Sequence, residues 1–297
     1  MARDIMLCFF GIPFSITSNS IGVIERIRFI FRENIVTEPT LKPEVYFNVD
    51  IYSNSVSNID ELFAKNIITN NNVNIQYSYD NFEFLPWFHE DTFLPPLQIT
   101  PLKGRFLVLH GCAVTYQEKS FIFIAPSMSG KTSLTLYLLN RGFNCVTDDL
   151  IFIKETRIIP YRKPVGFREA TIDILPEMKN IANRVITNET LVFIDNAKKK
   201  TWLLHLDDIF GSNVYETQDK IIDYIFIIDK DSSETMRKVN SYEIYSKLLG
   251  SICNSGISNK EASNQLFSVL KSSRGYYYLP TQDLAQAYRS ILSVNQL

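Results

Sequence analysis

The stretch Phe121-Ile122-Phe123-Ile124-Ala125-Pro126-Ser127-Met128-Ser129-Gly130-Lys131-Thr132 decides the fold class. Residues 121–124 read as an apolar strand, the loop after them closes on Ser-Gly-Lys-Thr, and residues 132–140 read as a helix. Leu134, Leu138 and Leu139 line the apolar side of that helix, and Gly142 stands just past its end. Strand, loop and helix in this order are the context a phosphate-binding loop requires. Backbone N–H groups at the start of such a helix face a polyphosphate, and the helix dipole favours its negative charge. Gly130 lets the main chain approach the phosphates, the Lys131 ammonium reaches β and γ oxygens, and the Thr132 hydroxyl can ligate Mg²⁺. Ser127, Met128, Ser129 and Ser133 complete the cradle. The pattern G-x-x-x-x-G-K-[ST] is broken at one position, where Ala125 replaces the first glycine. Alanine disfavours positive φ, so the loop must start in a conformation that alanine tolerates or bind its ligand less well.

Downstream of the helix, residues 145–147 start another strand, and Asp148 and Asp149 follow at its carboxyl end, where open α/β sheets place their ligand crevice. Two carboxylates opposite a phosphate loop suit a kinase site: one holds Mg²⁺ and the other accepts the proton of an attacking hydroxyl. The bland alternative is a turn cap into Leu150 with the second acid solvated. Upstream, His110 ends a strand over 106–109, just before Gly111. A lone histidine at a strand end is more often structural than catalytic, and only its neighbourhood changes that weight.

Farther out, two grammars divide the chain. Residues 1–94 are a series of β-branched and aromatic segments separated by Asn, Ser and Asp clusters, a β-rich region suited to docking a substrate. Residues 23–31 carry helical spacing, and 66–72 are Asn-rich and read as a loop or hairpin turn. Pro95 and Pro96 break the pattern and open a second domain, 95–297, of α/β character. It adds strands over 113–116, 221–228 and 276–279, a hairpin over 151–153 and 157–159, and helices over 242–252, 260–271 and 282–292. Lys198, Lys199 and Lys200 read as a solvated loop.

Composition removes several function classes. With 297 residues and 45% hydrophobic content the chain can bury a core, and a net charge of −2 argues against a nucleic-acid partner. Four scattered cysteines and three scattered histidines propose neither a zinc site nor a disulfide framework, and fit a reducing cytoplasm. The opening residues 1–16 have Arg3 before an apolar run, but Asp4, Pro13 and the lack of a small-residue cleavage site favour a buried first strand over a secretory signal. The apolar run at 221–228 contains Asp223 and is too short for a membrane span.

Taken in order, Leu109-His110-Gly111, Ser129-Gly130-Lys131-Thr132, Thr147-Asp148-Asp149-Leu150, and Pro160-Tyr161-Arg162-Lys163-Pro164 with Arg168 resemble the catalytic domain of HPr kinase/phosphorylase and its shorter relatives. The match spans roughly residues 95–170. Those relatives include serine kinases that act on ribosomally made peptides, such as the tailoring kinases of lasso-peptide clusters, and this chain looks closer to them. The resemblance implies an ATP- and Mg²⁺-dependent kinase acting on a serine of a peptide or small protein, with room for a homo-oligomer. By the same resemblance Asp148 is the general base and Asp149 a metal or second-shell carboxylate. His110 is a polar group near the transferred phosphate, and Arg168 contacts nucleotide or phosphate. The HPr enzyme has Glu after its loop hydroxyl residue where this chain has Ser133, which puts the same metal arrangement and the reverse reaction in doubt. A nucleotide-binding regulatory module without turnover and a phosphoenolpyruvate-carboxykinase-like enzyme are the alternatives.

Overall fold

The computed structural model describes residues 3–37, 41–52, 67–69, 72–78, 102–126, 129–168, 171, 174–175, 178–179, 184–187, 190, 192–194, 200–232, 234–253 and 255–295. By its internal contacts the chain forms two units, Met1–Arg105 with Leu191–Lys198, and Phe106–Thr190 with Lys199–Leu297. The expected boundary between residues 94 and 95 lies outside the described residues.

In the first unit β1 (Arg3–Phe9) and β2 (Ile12–Ser18) form a hairpin, followed by α1 (Ile21–Ile30), β3 (Val45–Tyr52), β4 (Ile67–Thr69) and β5 (Asn72–Ser78). The sheet runs β1-β2-β3-β5-β4, parallel at β2–β3 and β3–β5 and antiparallel at its two ends. The helix expected over 23–31 is α1, and it packs on β1 and β2 with Val23, Ile24, Ile27 and Ile30 buried, the spacing of one helical face. The Asn-rich stretch at 66–72 is not wholly loop. Its Ile67-Ile68-Thr69 is β-branched and pairs with β5, so cross-strand hydrogen bonding overrides the turn-like composition around it.

The second unit carries β6 (Leu107–Tyr116), β7 (Lys119–Ile124), α2 (Lys131–Leu139), β8 (Asn144–Thr147), β9 (Leu150–Lys154), β10 (Arg157–Ile159) and β11 (Val165–Arg168). After the short β12 (Val192–Ile194), which belongs to the first unit, come β13 (Lys200–Leu204), α3 (Leu206–Phe210), β14 (Lys220–Ile221), β15 (Tyr224–Asp229) and β16 (Arg237–Lys238). The chain closes with α4 (Ser241–Leu249), α5 (Asn259–Ser272), β17 (Gly275–Pro280) and α6 (Leu284–Asn295). The main sheet is mixed, in the order β14-β10-β9-β6-β7-β15-β17-β16, with β8 also paired to β6; β7, β15 and β17 are mutually parallel. β11 pairs antiparallel with β13 in a separate sheet. The domain is therefore α/β, as the apolar strands and amphipathic helices predict.

Alternation along β7 splits the core into two layers. Phe121 and Phe123 point to one face, where Phe143, Phe226, Leu134 and Leu138 are buried; Ile122 and Ile124 point to the other, with Ile151, Ile225, Ile244 and Leu266. The apolar run at 221–228 is two strands rather than one. Asp223 separates them because its carboxylate is engaged by residues distant in the chain, accepting from the Ser120 amide at 3.0 Å and pairing with Arg274 at 2.7 Å.

One expectation about β6 changes. Residues 107–109 and 113–116 belong to one continuous strand, because Gly111 does not break it but lets its neighbours close in. A Cβ there would lie 2.7 Å from the Phe123 carbonyl oxygen and 2.8 Å from Ile151 Cδ1. The strand before Asp148, β8, runs antiparallel to β6, with Ala113 opposite Thr147 and a register shift after it. Gly111→Ala should therefore cost about 3 kcal/mol or more through overpacking and backbone displacement, read as loss of the cooperative thermal transition or a fall in melting temperature; an unaltered melting temperature would refute the close approach.

Candidate functional site

Gly111 is the point where the two halves of the site meet. On one side it stands in register with Ile124, the last residue of β7 before the loop; on the other its N–H donates to the Asp149 carbonyl at 3.1 Å. His110, one residue earlier, stands opposite Leu150 of β9. The chain passes from β8 to β9 along one edge of β6, so the Thr147-Asp148-Asp149-Leu150 turn is carried to the level of the loop and the start of α2. Thr147 Oγ1 donates to the Leu150 carbonyl at 2.5 Å and closes that turn. Asp149 holds φ at 75°, the left-handed region that costs an L-residue on the order of 1 kcal/mol.

The loop itself begins without strain, since Ala125 is not among the residues with positive φ, while Gly130 has φ 88° at the N-cap of α2. The substitution of the first loop glycine is thus tolerated by the backbone. Ser127 and Met128 lie outside the described residues. The Ser129 hydroxyl donates to the Pro126 carbonyl at 2.6 Å, and Ser133 is buried in the first turn of α2. Lys131 is folded back on the loop, its Nζ donating to the carbonyls of Ala125 at 2.8 Å and Pro126 at 2.7 Å. Burial holds its pKa below the ordinary lysine value. An anion arriving at the helix start would offer that ammonium stronger acceptors than two neutral carbonyls.

The two aspartates are adjacent in sequence and divided by environment. Asp148 is buried; its Oδ2 accepts from the Thr132 hydroxyl at 3.2 Å, and its Oδ1 has no hydrogen-bond partner among the described residues. Desolvation pushes its pKa up to about 6, against the opposing charge of Lys163. Asp149 is 37% exposed at the side chain; Lys163 Nζ donates to its Oδ2 at 3.0 Å, and His110 Nδ1 lies 3.4 Å from its Oδ1. The Lys163 ammonium holds the Asp149 carboxyl below the ordinary range. Burial lowers the His110 pKa, so the ring is neutral near pH 7, and its Nε2 is buried with no partner among the described residues.

The structure thus brings together Lys131, Thr132, Asp148, Asp149 and His110, with Gly130 and Ser133 at the helix start. Arg168 stands on β11 in the other sheet, its Nε donating to the Thr201 hydroxyl at 3.2 Å. Lys163 is the residue to which sequence reasoning gives no role, although it sits inside the Pro160–Pro164 run. Its signal is faint: a lysine between Arg162 and Pro164 in a short run whose composition alone suits a solvated loop.

Among the described residues no group of three or more His, Cys, Asp or Glu is placed to hold a metal. Mg²⁺ commonly takes only one or two protein oxygens, with water and substrate phosphates as the rest. The Thr132 hydroxyl, the two carboxylates and the orphaned Asp148 oxygen are hard oxygen donors of that kind, so the residues present fit such an ion.

No family model matches the chain, and no curated protein matches it. Among solved structures, the Hpr(Ser) kinase/phosphatase from Coxiella burnetii aligns with 63% of this chain and 98% of its own, at 10% identity and a TM-score of 0.30. A likeness at that identity and score says nothing of activity. Among the described residues no helix is long and apolar enough to cross a membrane.

Proposed function

We propose that this protein is an ATP- and Mg²⁺-dependent phosphotransferase that phosphorylates a serine hydroxyl of a ribosomally made peptide or small protein. The observation that carries the reading is the 3.2 Å contact between Thr132, on the first turn behind the loop, and Asp148, whose other oxygen is buried without a partner. Buried carboxylate oxygens are nearly always satisfied, and an orphan beside a helix N-terminus marks the place where a missing ligand completes the network.

Thr132 and Asp149 would hold Mg²⁺, which supplies charge to offset that of the β and γ oxygens. Thr132 can offer a lone pair to the cation while its proton still goes to Asp148 Oδ2. The loop amides and Lys131 hold the triphosphate, and Asp148 Oδ1 accepts the proton of the attacking hydroxyl. A carboxyl whose pKa is about 6 is a better proton acceptor than one at 3.8, since it lies nearer the operating pH. His110, neutral and with its Nδ1–H turned towards Asp149, keeps Nε2 as a hydrogen-bond acceptor beside the transferred group. The rest of the acceleration comes from positioning.

Incubation with γ-labelled ATP, Mg²⁺ and a panel of serine-containing precursor peptides tests this reading. The expected product is phosphoserine in one of them, absent when the acceptor serine is alanine. ATP binding by calorimetry with no transfer to any peptide would favour the regulatory-module alternative, which Lys131 engaged with its own loop carbonyls also suits.

A further inference from the structure

The run 160–164 is fastened on both sides of Lys163. Tyr161 bridges to Thr147 beside the end of β8, its N–H donating to the Val146 carbonyl at 3.2 Å and its ring standing edge-on to Phe152 at 4.8 Å. Val165, fully buried, opens β11 on the other side. Between these anchors the Lys163 side chain, only 7% exposed, passes under the β8–β9 turn and delivers its ammonium to Asp149. A lysine gives up rotamer freedom and hydration to be buried so, and an ammonium stays charged there only when a partner offsets the loss. Surface lysines near a phosphate loop need no such fastening. The other oxygen of the same carboxylate faces His110 Nδ1.

We propose that Lys163 is a positioning residue: its ammonium pins the Asp149 carboxylate, and through it the His110 ring, so that the turn presents one arrangement to the transferred phosphate. The proposal rests on the phosphotransferase reading for its consequence in catalysis, but the pinning itself is a property of the chain. Without Lys163 the carboxylate keeps, among the described residues, the long contact to His110, and the partner that fixes its Oδ2 is gone. Misplacing a group beside the reacting atoms by about 1 Å can cost on the order of 10²-fold in rate.

The test compares wild type, Lys163→Met, Asp149→Asn and the double variant, each labelled with ¹⁵N-histidine and measured at one pH without ATP and with ATP and Mg²⁺. The chain has three histidines, so the ring signals can be assigned by single His→Gln variants, and the buried His205 reports the fold. The expected result is a single His110 signal in wild type that shifts or broadens in K163M. Lys163→Met should shift the His110 signal less in the D149N background than in wild type, because Lys163 acts mainly through Asp149 and only weakly through its own charge. In transfer assays K163M should lose about 30- to 100-fold in kcat, with KM for ATP within about threefold.

An unchanged His110 signal in K163M, a Lys163→Met shift as large in the D149N background as in wild type, or a loss that falls on KM alone would overturn the proposal. Should K163M lose its His205 signal and prove unfolded, the double variant, which removes both charges of the pair together, decides: a His110 signal like that of wild type in it would overturn the proposal. Wild type that binds ATP but transfers nothing overturns the phosphotransferase reading instead, and the ring signals still decide on Lys163.

Discussion

Asp148→Asn is expected to reduce phosphoryl transfer by about 10³-fold while making the nucleotide-free, metal-free protein more stable at pH 8. The first effect follows from the loss of the proton acceptor. The second follows from burial: Asp148 is 5% exposed, and the raised pKa means that the folded state carries its charge at a cost. A shift from 3.8 to about 6 corresponds to about 3 kcal/mol at pH 8. An asparagine removes that cost but leaves an amide N–H pair where Oδ1 was unpartnered, at about 1–2 kcal/mol. The net gain is about 1 kcal/mol at pH 8.

That gain has a definite pH signature. Because the folded pKa of Asp148 lies above its unfolded value, wild type takes up a proton on folding between about pH 6 and 4 and gains stability relative to pH 8 as pH falls through that window. The variant has no such group, so its advantage should vanish, and can reverse, by pH 4. Asp149, whose pKa is lowered by Lys163, works in the opposite sense, but it is present in both proteins and cancels in the difference. Urea unfolding of both proteins in EDTA at pH 8, 6 and 4.5 measures it. A variant that is uniformly less stable would show that Asp148 is satisfied in the fold, and one that retains transfer would remove it from the chemistry.

Lys131→Met should weaken ATP binding by about 100-fold, with a change of no more than a few degrees in melting temperature. The ammonium makes charge-assisted contacts to phosphate oxygens in the proposed complex, and losing about 3 kcal/mol of such interaction is two decades in affinity. In the nucleotide-free protein the same nitrogen serves two carbonyls, and one of them, on exposed Pro126, already accepts from Ser129. Methionine follows the same buried path without the desolvation that depresses the lysine pKa. Calorimetric titration with ATP decides the matter: unaltered affinity would mean that the triphosphate does not settle at this helix start.

The residues of the candidate site stand out in the sequence because the pattern that marks them is local. A strand, a loop ending Ser129-Gly130-Lys131-Thr132 and a helix are set by apolar spacing and by a glycine that takes φ 88°, all within a dozen residues. The acids after β8 were legible for the same reason, as was the helical face of Val23, Ile24, Ile27 and Ile30. What misled was partnership. Gly111 looks like punctuation between two strands, yet it serves a close approach to Phe123 and Ile151, which no local pattern encodes. Asp223 interrupts an apolar run because Ser120 and Arg274, far away in the chain, engage it.

From the sequence alone came the strand, loop and helix around Gly130-Lys131-Thr132, the position of the acid pair at a strand end and the α/β grammar, since propensity, periodicity and charge act over a few residues. Only the tertiary structure decided that β8 lies against β6, that Thr132 faces Asp148 while Lys163 and His110 face Asp149, and that one carboxylate is buried and the other paired. Strand pairing and desolvation depend on which distant segments arrive beside a residue, and two neighbouring aspartates with the same intrinsic acidity become different groups only when that environment is built around them.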